Sequence, residues 1–295
     1  MKKFPIGIII NSFRTDIPTS VRKAAECGAQ GIQVYSTHGE MAPENLSPEK
    51  RREFLNLVKD NGLIISALCG DLGGGGFIHK DLNKERVEKS KRILDLAKDL
   101  ETDIVTTHIG VVPSDPNHDR YKIMQEACFE LSRFADSMEA HFAIETGPET
   151  SMELKEFLDS LGSKGVAVNL DPANLVMVTG DDPVQAVYNL KDYIVHTHAK
   201  DGVQLKPSNP EYLYRVLHPV PEEYSQGGFY EELPLGEEEY LYGINEPTNA
   251  NAPEKEVAFD KVGEEISLDE FVAQFTLDEL MYIVGGQKTT GVCNT

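Results

Sequence analysis

The chain has 295 residues, 40% of them hydrophobic, which is enough to bury a full core in one large α/β domain or two smaller ones. A net charge of −21 argues against nucleic-acid or anionic-membrane partners, because phosphate binding relies on Lys and Arg. Four cysteines without a CxxC pair (Cys27, Cys69, Cys128 and Cys293) fit a reduced, cytoplasmic setting, and no stretch approaches the roughly 20 apolar residues of a membrane span.

The apolar start Phe4 to Ile10 reads as a first strand; Pro5 and Asn11 leave too short an apolar run for a signal peptide. From there strand and helix alternate. A helix near Pro18 to Cys27 precedes strand Gly31 to Tyr35, and a helix over Ser47 to Asn61 precedes strand Leu63 to Leu68. The second of these helices carries a Ser47 cap, Pro48 at the first helical position and Gly62 just past its end. Asn83 is expected to cap a helix to Leu100 whose apolar face is Val87, Ile93, Leu94, Ala97 and Leu100. Strand Asp103 to His108, helix Asn117 to Ala140, strand Phe142 to Glu145 and helix Ser151 to Leu161 follow. Strand Gly165 to Leu170, a helix near Pro183 to Leu190 and strand Tyr193 to His198 complete seven βα steps.

Nearly continuous apolar strands alternating with helices predict a parallel sheet covered by helices. A (β/α)₈ TIM-like barrel is the leading closure, and a doubly wound open sheet is the alternative; its G-x-G-x-x-G turn is missing after the first strand. After Asp201 the pattern fails. Gly202 to Leu235, rich in Pro, Tyr and Gly, suggests a long loop over the barrel mouth. Beyond Gly236 the composition shifts: Glu237 to Glu270 holds eleven acidic residues against two lysines, with only Tyr240 to Ile244 resembling a strand. Two capping boxes, Ser267 to Glu270 and Thr276 to Glu279, predict two short helices near the end. The expected division is a barrel over residues 1–236 and an acidic linker with a short helical tail over 237–295.

Glu145, Asp171 and His198 each end an apolar strand, 26 and 27 residues apart, about one strand-plus-helix unit. Side chains alternate along a strand, so Thr106/His108, Ala143/Glu145, Asn169/Asp171 and His196/His198 are pairs sharing a face. The three strand-end side chains would therefore converge at one barrel rim. Two carboxylates and an imidazole suit Mn²⁺, Mg²⁺ or Co²⁺ and can hold Zn²⁺. Such a metal can polarise the carbonyl of a hydroxy-ketone while a carboxylate removes the adjacent proton through an enediolate. Taken singly, a strand-end Asp or His is more often a satisfied rim residue; three at one pitch point to a metal. His108 fits either a ligand-side group or a hydrogen-bonded core histidine, and His196 reads as structural. The run Gly73 to Gly76 lacks the G-K-[ST] of a phosphate loop and reads as a flexible rim loop.

The stretches GIQVYSTHGE, ISALCGDLGG, TTHIG, AIETG, VNLDPANLVMVTGDDP and HTHAKD, with the later ELPLGE, resemble the sugar phosphate isomerase/epimerase group with a xylose-isomerase-like barrel, over about Met1 to Gly236. The resemblance implies a divalent metal on Glu145, Asp171 and His198, Glu145 doubling as catalytic base and His108 lining the site. Asn174, Lys200 and Asp201 then become substrate-side positions; Asn174 stands where many relatives carry His. The implied activity is isomerisation or epimerisation of a small sugar or related polyol, with no nucleic-acid or membrane partner and homo-oligomerisation open. One departure matters. The eighth-strand Glu in a T-I-E-x-E context is missing, so the eighth strand is expected to be missing or irregular, and Glu246 in GINEP is the candidate replacement ligand. The tail from Asp269 resembles a segment adjoining the barrel of family 3 glycoside hydrolases. A barrel that only binds metal or sugar is the alternative reading. An abasic-site endonuclease would need three zinc ions and a basic face, against this charge.

Overall fold

The computed structural model describes residues 5–233. Glu246, the strand expected at Tyr240 to Ile244, the two tail helices, Cys293 and the division after Gly236 lie outside the described residues.

Seven strands form one parallel sheet in sequential order: β1 (Gly7–Ile9), β2 (Gly31–Tyr35), β3 (Ile64–Cys69), β4 (Ile104–Thr107), β5 (His141–Glu145), β6 (Val166–Leu170) and β7 (Ile194–Thr197). Between them run α1 (Ile17–Glu26), α2 (Pro48–Asp60), α3 (Lys80–Asp99), α4 (Asp119–Ser137) and α5 (Ser151–Leu161). A single turn α6 (Pro172–Asn174), continued by a π-turn over Leu175–Thr179, and α7 (Pro183–Leu190) bridge β6 and β7. The order excludes the doubly wound alternative, whose strand order reverses at a switch point. The sheet is curled: His198, just past β7, brings Nε2 to 3.1 Å from Oε1 of Gln33 on β2, although β3 to β6 lie between those strands in the sheet order. It is thus a TIM-type barrel lacking its eighth strand among the described residues.

The core lies between the convex face of this sheet and the helices. Phe142 and Phe157 are fully buried, and Phe77 meets Phe142 edge-on with ring centroids 6.1 Å apart. The concave face is different, carrying polar side chains at inward positions of otherwise apolar strands. Gln33, Thr106 and Asn169 are all buried, and Gln33 Nε2 donates to Thr106 Oγ1 at 2.7 Å. A polar interior needs partners to offset desolvation, and these side chains supply them to one another.

Several helix ends agree closely with the sequence. Ser47 accepts from the Lys50 N–H with Pro48 behind it, and Gly62 takes φ 74°. The capping box of α5 is made by Thr150 and Glu153. Asn83 is a correction: α3 begins three residues earlier, at Lys80, and Asn83 lies buried inside it, its amide donating to the Phe77 carbonyl at 2.9 Å. Inside the helix the N–H groups that follow Asn83 already donate to intrahelical carbonyls, so its side-chain oxygen meets no free donor to cap. The segment after Asp201 is also more ordered than a plain loop. Strands β8 (Asp201–Gln204) and β9 (Tyr230–Leu233) pair antiparallel, and the excursion between them holds the short turns α8 (Pro210–Leu213) and α9 (Glu222–Gln226). Among the described residues no helix is long and apolar enough to cross a membrane.

Candidate functional site

Parallel strands place their C-terminal ends on one rim, so the residues at and just beyond those ends decide what the mouth contains. Strand β5 ends on Glu145, while Asp171 and His198 come immediately after β6 and β7. Ligand atoms of these three side chains lie within 4.8 Å of one another. Two local devices hold them. Thr146 Oγ1 donates to the Asp171 carbonyl and accepts from the Asp171 N–H, each at 2.8 Å, which ties the ends of β5 and β6 together. A register shift between Val168 and Asn169 then sets Asn169 opposite His196, so that the Asn169 Oδ1 meets His196 Nδ1 at 2.9 Å.

The carboxylates are held unequally. Glu145 Oε1 accepts from the Asn174 amide at 3.0 Å, and its Oε2 lies 3.4 Å from His198 Nδ1. Asp171 is 1% exposed; Oδ1 accepts the Asn174 N–H at 3.0 Å, whereas Oδ2 is buried with no hydrogen-bond partner among the described residues. The nearest cation, Lys200 Nζ, stands 4.0 Å from Oδ2. A buried carboxylate oxygen facing a second carboxylate is unfavourable unless a positive group meets it. This donor set fits a divalent cation: two oxygen ligands, one imidazole nitrogen and an oxygen in want of a partner.

The pKa shifts carry the same message. Burial raises the Glu145 carboxyl, but the His198 hydrogen bond and the charges of His108, His198 and Lys200 outweigh it and hold it below the ordinary carboxylate range. Burial and then the Glu145 charge push Asp171 up. His108 is drawn down by burial, yet its hydrogen bond to Asp71 and the Glu145 charge raise it to about 9. His196 is lowered to about 4 by burial and the neighbouring His198.

Glu145, His108 and His198 open into a cavity of about 460 Å³, whose polar lining also includes Asp71, Asn174 and Lys200, while Asp171 lies buried just behind its wall. His108 Nδ1 lies 3.1 Å from Asp71 Oδ2, and Nε2 lies 3.8 Å from Glu145 Oε1. Lys200 donates to Asn174 Oδ1 at 3.0 Å and pairs with Glu232 of β9 at 2.9 Å. Asp201 is placed differently: it opens β8, 9% exposed, with Oδ1 accepting the Gly202 N–H at 2.8 Å, and it is not on the cavity wall. Gly73 to Gly76 do line the cavity, but as a fastened turn. All four glycines have positive φ, Gly76 N–H donates to the Gly73 carbonyl at 3.2 Å, and Arg86 donates to the same carbonyl at 2.7 Å. A Cβ on Gly76 would sit 2.0 Å from the Ile109 carbonyl carbon, which explains why glycine stands there.

The strand-end pattern does not reach Asp71, Gln33, Glu149, Tyr214 or Glu232, and it marks Asn169 only as sharing a face with Asp171. Gln33 and Asn169 had a usable signal, a polar side chain at an inward position of an apolar strand. Asp71 and Glu149 sit in irregular segments where no periodicity exists. Glu149 is 3% exposed; Oε1 accepts the Val112 N–H at 2.9 Å and Oε2 has no partner among the described residues.

No curated protein matches the sequence. Among solved structures the chain is similar to a xylose isomerase domain protein from Planctomyces limnophilus, at 21% identity and TM-score 0.63, over 79% of this chain and 82% of that one. It is similar to the probable 3-DHS dehydratase AsbF of Bacillus anthracis at 21% identity and TM-score 0.56, over 79% and 84% of the two chains. A third similarity is to the 3-keto-D-glucoside 4-epimerase YcjR from E. coli, at 16% identity and TM-score 0.54, over 66% and 78%. At these identities the likenesses establish the fold. The xylose isomerase-like TIM barrel family is matched over residues 21–238, and the chain belongs to that family.

Proposed function

We propose that this chain is a divalent-metal-dependent isomerase or epimerase that moves a proton next to the carbonyl of a small sugar or related polyol. The observation that carries the reading is the Oδ2 of buried Asp171, without a hydrogen-bond partner among the described residues, in a set in which ligand atoms of Glu145, Asp171 and His198 lie within 4.8 Å of one another. Those three residues hold the cation, with Mn²⁺, Mg²⁺ or Co²⁺ favoured over Zn²⁺ by the oxygen-rich set. When bound, the metal supplies Lewis acidity toward a substrate carbonyl.

The remaining work belongs to side chains of this protein. Glu145 is ionised at neutral pH and takes the α-proton of the substrate. Asn174, donating to Glu145 Oε1 at 3.0 Å, fixes the direction of the accepting oxygen. His108, held at Nδ1 by Asp71, presents Nε2 to the cavity, where it steadies a substrate oxygen. Lys200, between Asn174 and Glu232, closes one side of the mouth and offers its ammonium to a hydroxyl. Transfer to the opposite face of the carbon needs a second base, and Glu246, outside the described residues, is the sequence candidate for it.

The names of sugar epimerases among the structural relatives support this choice of reaction class. The absence of a glutamate-bearing eighth strand among the described residues supports a second reading, a barrel that binds metal or sugar without turnover. Deuterium incorporation into a panel of ketoses, in heavy water with added Mn²⁺, separates the two. Exchange that requires metal and is abolished in Glu145→Gln is expected; no exchange from a folded, metal-loaded protein would favour the binding-only reading.

A further inference from the structure

The cavity has two unlike walls. The strand-end groups and Lys200 make one of them. The other is apolar and comes from the β6–α7 segment and the β8–β9 excursion: Met177, Val178, Leu213, Tyr214 and Val216 all line it. Met177 and Val178 are buried, and Leu213 and Tyr214 pack against them, so these four make one continuous surface, with Val216 also on the cavity lining.

Specific contacts fix its placement. Arg120 of α4 pairs with Glu211 of α8, anchoring the excursion to the barrel. The Gly202 position, where a Cβ would lie 2.4 Å from Met177 Sδ, lets β8 press directly on the π-turn. Tyr214 reaches in until its hydroxyl is 3.1 Å from the position a Cβ would take on Gly147, two residues past Glu145. The apolar surface therefore borders the carboxylate end of the site. Charge is sparse on this side: among the described residues lining the cavity, Lys200 is the only Lys or Arg, and Glu232 already pairs with it at 2.9 Å. The Lys200 ammonium is already balanced by Glu232 and the His108 ring by Asp71 and Glu145, so a phosphate brought against Leu213 and Val216 would be desolvated without compensation.

We propose that the substrate is a hydroxy-carbonyl compound bearing an apolar substituent, with the hydroxy-carbonyl end at Glu145, Asp171 and His198 and the substituent against Met177, Leu213, Tyr214 and Val216. This assignment rests on the proton-transfer reading for the head of the substrate and adds the tail. Aryl or alkyl derivatives of a small ketose fit the description, and sugar phosphates do not.

Three probes share one head and differ only in the tail: hydroxyacetone, 2-hydroxyacetophenone and dihydroxyacetone phosphate. Each is titrated calorimetrically into the full chain loaded with Mn²⁺, and α-proton exchange in heavy water is followed in parallel. The phenyl ketone is expected to bind more tightly than hydroxyacetone by on the order of tenfold or more, as burial of a ring against apolar surface implies. The preference is expected to shrink toward unity in the Leu213→Ala/Val216→Ala protein, and the phosphate is expected to gain nothing over hydroxyacetone. Equal affinities for the methyl and phenyl ketones, or tightest binding of the phosphate, overturns the tail assignment. Tight binding of the phenyl ketone without exchange refutes proton transfer and leaves the tail assignment standing. Failure of all three to bind overturns both.

Discussion

Glu149 should make the stability of this protein fall as pH rises through the neutral range. Its carboxyl is buried, Oε1 accepting the Val112 N–H and Oε2 without a partner, and the titration midpoint is pushed up from 4.5 to about 7. Burial is the largest cause, reinforced by the Glu153 charge and opposed by the Val112 hydrogen bond and by His108. In the unfolded chain the group titrates near its ordinary value, so between about pH 4.5 and about pH 7 the folded state binds the extra proton. Stability then declines with rising pH across that window and levels off above it. A shift of this size corresponds to about 3 kcal/mol at full deprotonation, from 1.36 kcal/mol per unit, as an order of magnitude. Glu149→Gln keeps an oxygen for the Val112 N–H and removes the titration; the amide it places at the position of Oε2 adds a cost that does not vary with pH. Urea unfolding at pH 5 and pH 8 provides the assay. The difference in unfolding free energy, variant minus wild type, should rise by about 2.5 kcal/mol between those pH values, because the unfolded group is already largely ionised at pH 5. A difference that stays constant within about 0.5 kcal/mol would refute the claim that Glu149 is buried and uncompensated.

Other consequences are equally specific. A Cβ on Gly165 would meet the Ser132 carbonyl oxygen at 2.0 Å, so Gly165→Ala must push α4 away from β6, for about 3 kcal/mol by denaturant unfolding. Gly162→Ala, at φ 60° in open space, should cost only about 1 kcal/mol, and equal costs would contradict this packing of α4. Asp71→Asn should leave metal affinity nearly unchanged while slowing substrate proton exchange about tenfold or more, because a neutral amide replaces the charged carboxylate that holds and orients His108. Unchanged exchange kinetics would remove His108 orientation from the mechanism. Chelation with EDTA should abolish exchange, and Mn²⁺ should restore it; exchange that persists in the stripped protein would point to metal-free chemistry.

Much of this architecture is legible in the residues themselves because both barrel and rim are periodic. A parallel strand buried on both faces shows as an apolar run, so each of the seven strands of the parallel sheet overlaps a span read from sequence. The polar residue that stops such a run marks the rim, and the ends at Glu145, Asp171 and His198 meet there. What escapes notice is aperiodic. Asp71, just ahead of the glycine turn, reaches His108 through a loop conformation that local sequence does not specify. Strand β9 pairs with β8 across a long excursion, and no local signal sets that register. Asn83 misleads for a related reason: an asparagine before an apolar helical face has cap chemistry, but here the helix starts three residues earlier, at Lys80, and encloses it. Asp201 stands next to Lys200 on the chain, yet β8 turns it into the protein while Lys200 faces the cavity.

The central claim is that Glu145, Asp171 and His198 form one divalent-metal site. Titration of the metal-stripped protein with Mn²⁺, followed by calorimetry on the wild type, Asp171→Asn and Glu149→Gln, tests it most directly. The wild type should bind one Mn²⁺ per chain, Asp171→Asn should lose roughly 100-fold or more in affinity, and Glu149→Gln, whose buried carboxylate is not a ligand, should match the wild type. Equal Mn²⁺ affinity in the wild type and Asp171→Asn, or no stoichiometric binding by the folded wild type, would contradict it.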